Sequence, residues 1–159
     1  MHVLFLGEGN DCRTLLAEAI FNHLAPSGCT AQRASCDQAC PADPAAVGLL
    51  AKQGIRSAPD TAPSPHEASS GSDVLITVCS IDKGQACPCY RSNTLCAHWG
   101  VHKPARHKMR SHRGDSELLD IYHILRARIE RLLALVQAGV NTDRTRFQRE
   151  LARIGDYLP

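Results

Sequence analysis

Two groups of residues in this chain have types and spacings that could do chemistry. The first is the glycine-rich run Gly7-Glu8-Gly9-Asn10-Asp11, followed by Cys12 and Arg13. Such a turn between a strand and a helix aims backbone N–H groups and the helix's positive end at one point, which suits a phosphate-like anion. Arg13 opens the helix beside it. The second group is the thiols, eight cysteines in 159 residues. No apolar run approaches the ~20 residues of a membrane span, and no basic leader or small-residue cleavage site precedes the first strand-like segment. The expected location is therefore cytoplasmic, where cysteines react or bind soft ions rather than form a disulfide framework.

Cys12, Cys79, Cys87 and Cys89 are expected at C-terminal strand ends or in adjoining loops, where they could converge near the anion loop. Three thiolates such as Cys79, Cys87 and Cys89 suit trivalent arsenic or another soft ion. A thiol near Arg13 or a helix N-terminus would have a lowered pKa, which favours binding or exchange. The bland alternative makes Cys12 and Cys79 buried small hydrophobes and the others incidental loop residues. Zinc on Cys79, Cys87, Cys89 and either Cys96 or His98 ranks below metalloid binding, because the C-x2-C pairing of structural zinc modules is missing. Cys29, Cys36 and Cys40 have weaker claims.

The elements that must position these groups follow from the apolar pattern. Residues 2–6 form a short apolar run of strand length, and residues 14–24 repeat Leu15, Ala19, Ile20 and Leu24 at helical spacing. Asp43-Pro44 can start a second helix carrying Val47, Leu49 and Leu50 and ending at Gly54. Residues 57–72, rich in Pro, Ser and Ala, read as loop, with a short helical turn at 66–69. Residues 73–79 look like a buried strand and are followed by a cysteine-bearing loop. A long helix starts at Ser116, with Glu117 in its first turn and Leu119, Tyr122, Ile124, Leu125, Ile129, Leu132, Leu133 and Val136 as its apolar stripe, and ends at Gly139. Residues 142–157 make a last amphipathic helix with Phe147, Leu151 and Ile154 on one side.

Strands alternating with helices predict an α/β domain with a mainly parallel sheet, whose site belongs at the C-terminal strand ends. The length suits one domain over 1–159, with 140–159 as a C-terminal helical extension. The net charge is only +2, yet Lys103, Arg106, His107, Lys108, Arg110, His112 and Arg113 cluster. No aromatic residues are interleaved, so a solvated loop is preferred to a nucleic-acid surface. His23, His66 and His123 read as surface or helix-face residues.

Read whole, Val3-Leu4-Phe5-Leu6-Gly7-Glu8-Gly9-Asn10-Asp11-Cys12-Arg13-Thr14 resembles the signature loop of low-molecular-weight tyrosine phosphatases and related arsenate reductases. That loop is a cysteine, five residues, then arginine, and Gly9, Asn10, Cys12, Arg13, Thr14, Ala17 and Glu18 fit its pattern. The resemblance continues through Thr77-Val78-Cys79, Cys87-Pro88 and His98-Trp99-Gly100-Val101 to Leu151-Ala152-Arg153-Ile154-Gly155. It implies a central parallel sheet of about four strands and an anion cradle formed by Gly7, Glu8, Gly9, Asn10, Asp11, Cys12 and Arg13. It also implies relay thiols at Cys79 and Cys87, joined by Cys12, and an external reductant such as a small thiol or thioredoxin. No tightly bound cofactor is expected.

Two positions depart from that pattern. The attacking cysteine of the family falls on Gly7, and the Asp-Pro that supplies its general acid is replaced by Lys103-Pro104. Lysine is a poor acid at neutral pH. Glu8 and Asp11 can bring negative charge to a cradle built for an anion. His102 is a substitute proton source, and Cys12 a substitute nucleophile set to one side. His98 and Trp99 are expected to pack or orient the loop. The leading expectation is an arsenate reductase-like protein with a degenerate site, handling arsenic by thiol exchange or As(III) binding. The alternative is a non-catalytic binding or regulatory protein that senses a metalloid, a metal or a phosphorylated partner. An active tyrosine phosphatase ranks last.

Overall fold

The computed structural model describes residues 1–7, 12–35, 41–57, 71–79, 94–102 and 112–159. The predicted turn at 66–69 lies outside these residues. Four strands form one sheet: β1 (His2–Gly7), β2 (Thr30–Ser35), β3 (Val74–Thr77) and β4 (Leu95–His98), in the order β2-β1-β3-β4 with every pair parallel. Their helices are α1 (Cys12–Leu24), α2 (Pro44–Lys52), α3 (His112–Gln137) and α4 (Arg144–Gly155), with a 3-10 turn at Val140–Thr142. This is the single α/β domain with a four-stranded parallel sheet that the sequence implied.

β1 is apolar on both faces because side chains alternate across a sheet and both faces are covered. Val3 and Phe5 join Val74, Ile76 and Ala97 in the main core, whereas Leu4 and Leu6 point the other way and cluster with Ala34 and Leu75. Helix α1 was expected to bury one stripe, yet all of its residues from Cys12 to Phe21 are buried. Two of them, Arg13 and Glu18, are charged, and each has a specific partner described below. Asp43 caps α2 as predicted: its Oδ1 accepts from the Ala45 and Ala46 amides at 2.8 and 3.1 Å, and Pro44 sits in the first turn.

Three boundaries differ from the sequence reading. Helix α1 begins at Cys12, and α3 begins at His112 rather than Ser116, one turn ahead of its apolar stripe. Periodicity reports only the part of a helix that packs, so a polar first turn leaves no trace in it. The strand read over 73–79 is regular only at Val74–Thr77. Asp73 and Val78 nevertheless continue its pairing, through Asp73 N–H to the His2 carbonyl (2.9 Å) and Val78 N–H to the Leu6 carbonyl (3.0 Å). Strands β2 and β4 lie in segments that carry no strand pattern.

The segment after Gly139, where φ is 72°, is part of the core. Phe147, Leu151 and Ile154 of α4 are buried beside β4, and the Trp99 indole N–H donates to the Leu151 carbonyl at 3.0 Å. Gly155 lies against the His98 carbonyl so closely that an added Cβ would overlap that oxygen and come within 3.0 Å of Trp99 Cδ1. Neither neighbour is a flexible side-chain end. Gly155→Ala should therefore destabilise the fold by ~1–3 kcal/mol through overpacking, read as a lowered midpoint at unchanged slope in chemical denaturation.

Candidate oxyanion and thiol site

Order β2-β1-β3-β4 sends the chain to opposite sides of β1, which makes the carboxyl ends of β1 and β3 the switch point where ligands bind in open α/β sheets. The register fixes what lies there. Leu6, Thr77 and His98 form one row across three strands. Gly7 ends β1, buried and in extended backbone. Cys79 follows β3 and is 7% exposed, and Trp99 N–H donates to the Thr77 carbonyl at 2.7 Å. Ala34 completes the row on β2, and Ser35 pairs with Gly7 one position beyond it.

Cys12 and Arg13 open α1 at the same sheet end, 4% and 1% exposed. Arg13 Nη1 donates to the Val101 carbonyl at 2.6 Å, which ties the helix start to the segment after β4. Thus the structure brings together Gly7, Cys12, Arg13 and Cys79 of the residues expected to bind or react. Glu8, Gly9, Asn10, Asp11, Cys87, Cys89 and Lys103 lie outside the described residues, as do Cys36 and Cys40. His102 is exposed, Cys29 is half-buried, and Cys96 is exposed on β4 with its Sγ 3.5 Å from the Thr94 carbonyl. Burial pushes the Cys96 thiol pKa up, with Arg144 opposing, and so does not favour thiolate there. His23 and His123 are exposed helix residues, as read. Among the described residues no three His, Cys, Asp or Glu side chains are grouped so as to hold a metal ion.

His98 and Trp99 pack as expected. Trp99 is fully buried, with its ring 6.2 Å from that of Phe5. His98 Nδ1 lies 2.8 Å from Thr77 Oγ1, while its Nε2 is buried and makes no hydrogen bond among the described residues. Burial lowers the His98 pKa below 6.5, and the positive charges of Arg128 and Arg13 lower it further. The imidazole is therefore neutral at neutral pH. Between β2 and α1, Arg33 and Glu18 form a buried ion pair at 3.6 Å, and the Arg33 amide donates to Glu18 Oε1 at 3.3 Å. Burial raises the Glu18 pKa more than the attraction of Arg33 lowers it.

Sequence reasoning missed Arg128 and Arg33. Arg128 had a signal: it stands three after Leu125 and four before Leu132, on the apolar face of α3, where a cation must find a partner. Arg33 had none, because its strand was not visible. Chemically, the described part of the site offers a guanidinium, two buried thiols and a neutral imidazole at one sheet end. Gly7, the last residue of β1, has no side chain that could act as a nucleophile.

The sequence profile of the low molecular weight phosphotyrosine protein phosphatase family matches residues 2–146. The chain belongs to that family. Among solved structures, the fold is shared with the arsenate reductase of Archaeoglobus fulgidus at 23% identity, over 80% of this chain and 98% of that one, with a TM-score of 0.63. It is shared also with a thioredoxin-dependent arsenate reductase of Corynebacterium glutamicum at 22% identity, over 87% of this chain and 62% of that one, with a TM-score of 0.65. A low molecular weight protein tyrosine phosphatase from T. tengcongensis is similar at 23% identity, over 82% and 98% of the two chains, with a TM-score of 0.64. The comparison with curated proteins gives no match. Among the described residues, no helix is long and apolar enough to cross a membrane.

Proposed function

We propose that this family member handles arsenic through its thiols on a degenerate site: the cradle arginine and relay thiols are kept, while the position of the attacking sulfur is occupied by Gly7. The observation that carries the reading is the arrangement at the C-terminal sheet end, where Arg13, Cys12 and Cys79 are buried around the end of a strand closed by glycine. The reading assigns the rest of the cradle to Glu8, Gly9, Asn10 and Asp11, and the further thiols for redox exchange or for As(III) to Cys87 and Cys89, all outside the described residues, with zinc as a competing soft ion. No tightly bound cofactor is required.

Any reduction of arsenate to arsenite takes two electrons. Two thiols supply them by becoming one disulfide, with the departing oxygen leaving as water, and an external thiol of the glutathione or thioredoxin class must then reduce that disulfide. The names of the solved neighbours, arsenate reductases among them, support this direction. The departures at Gly7 and Lys103 favour a second reading, a non-catalytic protein that keeps the scaffold to sense a metalloid, a metal or a phosphorylated partner. The protein is expected to work in the cytoplasm, with neither a membrane nor a nucleic acid as partner.

Titration with arsenite, zinc and arsenate separates these readings. Changing Cys79 and Cys87 together to Ser should weaken arsenite binding by at least about tenfold, or ~1.4 kcal/mol, because the soft donors are lost. Arsenite affinity unchanged in that variant would remove the thiol site. Turnover of arsenate with a thiol reductant would establish an enzyme, and aryl phosphate hydrolysis abolished by Arg13→Ala would raise the phosphatase reading above both.

A further inference from the structure

Arg128 is 2% exposed in the middle of α3, where a cation costs several kcal/mol unless its donors are met. Its fork is met by two carbonyls from different parts of the chain. Nε donates to the Tyr157 carbonyl at 3.0 Å, and Nη1 reaches the Gly100 carbonyl at 3.3 Å. The first bond has an ordinary explanation: Tyr157 follows the last turn of α4, where a cation is favoured, and Arg131 holds the same residue by lying 3.5 Å from its ring centroid. The second bond has no such explanation. It grips the peptide one residue before Val101, whose own carbonyl holds Arg13.

We propose that Arg128 is a positioning residue for the oxyanion site: by bridging the C-terminal tail to Gly100 it fixes the Gly100 to Val101 peptide, and through the Val101 carbonyl it sets the direction of the Arg13 guanidinium. The assignment rests on the oxyanion reading of Arg13. Two guanidiniums thus hold consecutive carbonyls, one from the start of α1 and one from α3. Other contacts make the clamp stiff. Trp99 is pinned by its amide to Thr77 and by its indole to Leu151, and Gly155 packs against the His98 carbonyl. Hence the end of α4, beyond the residues that match the family profile, helps to aim a residue at the start of α1. An arginine is needed because its planar fork can address two carbonyls at once in fixed geometry, whereas a lysine ammonium is a single mobile point.

Calorimetric titration with inorganic phosphate and arsenate tests the assignment in the full chain. Arg128→Ala and Arg128→Lys should each raise the dissociation constant by about tenfold, since both lose the bridge although lysine keeps the charge. Wild-type affinity in Arg128→Lys would assign the effect to charge alone and overturn positioning; because that variant keeps a cation in the pocket, it decides the matter even where Arg128→Ala does not fold. A ligand-free measurement separates this inference from the oxyanion reading. Trp99 is the single tryptophan and is fully buried, so acrylamide quenching of its emission reports on this segment. Arg13→Ala and Arg128→Ala should each raise the quenching constant about twofold or more, as local opening exposes the indole. The double variant should rise no further than the larger single effect. Additive effects would overturn the coupling, whereas wild-type protein that binds neither anion but shows coupled quenching would leave the clamp and sink only the oxyanion reading.

Discussion

Gly7→Cys should raise thiol-dependent arsenate reduction far above the wild-type rate. Gly7 is buried at the end of β1 in extended backbone that any residue adopts, so a cysteine introduces no backbone strain there. It places a sulfur at the head of the loop that ends at Arg13. Loss of a hydrolase nucleophile costs on the order of 10^6 in kcat, so a gain of ~10^3 or more over wild type is the expected scale even for a partly restored site. The assay is arsenite production with a small thiol or thioredoxin as reductant. Arsenate turnover by the wild type at a comparable rate would show that another thiol already attacks, and the degenerate-site reading would fall. A Gly7→Cys variant that forms a covalent thio-adduct but does not turn over points to the missing acid. Gly7→Cys combined with Lys103→Asp should then restore the second step, because lysine holds its proton up to a pH of about 10.4 and donates it poorly at neutral pH.

The second large effect concerns stability. Glu18→Leu removes the carboxylate that faces the buried Arg33 guanidinium, and the expected loss is ~3–5 kcal/mol in chemical denaturation. A guanidinium cannot shed its proton to escape, so this loss should vary little with pH. Arg33→Met is different. It strands a carboxylate whose pKa burial has already raised above 4.5, and that group can become neutral by taking up a proton.

The sign follows directly: a carboxyl with a raised folded pKa favours the folded state below its unfolded pKa, and that benefit fades as pH rises through the folded value. Arg33→Met should therefore be tolerated better near pH 4.5 than at pH 7, where the full cost of about 3–5 kcal/mol is expected. Both substitutions together should recover most of the loss, because a buried pair replaced by apolar groups of similar volume is often neutral. Equal losses for the two single variants at both pH values would show that burial does not govern Glu18.

The sequence determined much of this protein where one residue type does one local job. β1 was legible because its apolar run is short and stops at glycine; α2 because Asp43 and Pro44 can start a helix with nothing beyond their own chain; and the C-terminal half of α3 and α4 because Leu125, Ile129, Leu132, Leu133, Phe147, Leu151 and Ile154 repeat at helical spacing. The loop and its departures at Gly7 and Lys103 were likewise legible, since a motif is a matter of residue type and spacing.

What the tertiary structure decided is everything that depends on a partner far along the chain. β2 reads Thr-Ala-Gln-Arg-Ala-Ser, without an apolar alternation, and is a strand because β1 offers it a ladder and Glu18 neutralises Arg33. β4 is four residues long and exists by pairing with β3 and by the cover of α4. The burial of Arg13 and Arg128 is decided in the same way, by the Val101, Gly100 and Tyr157 carbonyls. A charge can be buried only where distant backbone meets its donors, and that meeting is a property of the fold rather than of any stretch of sequence.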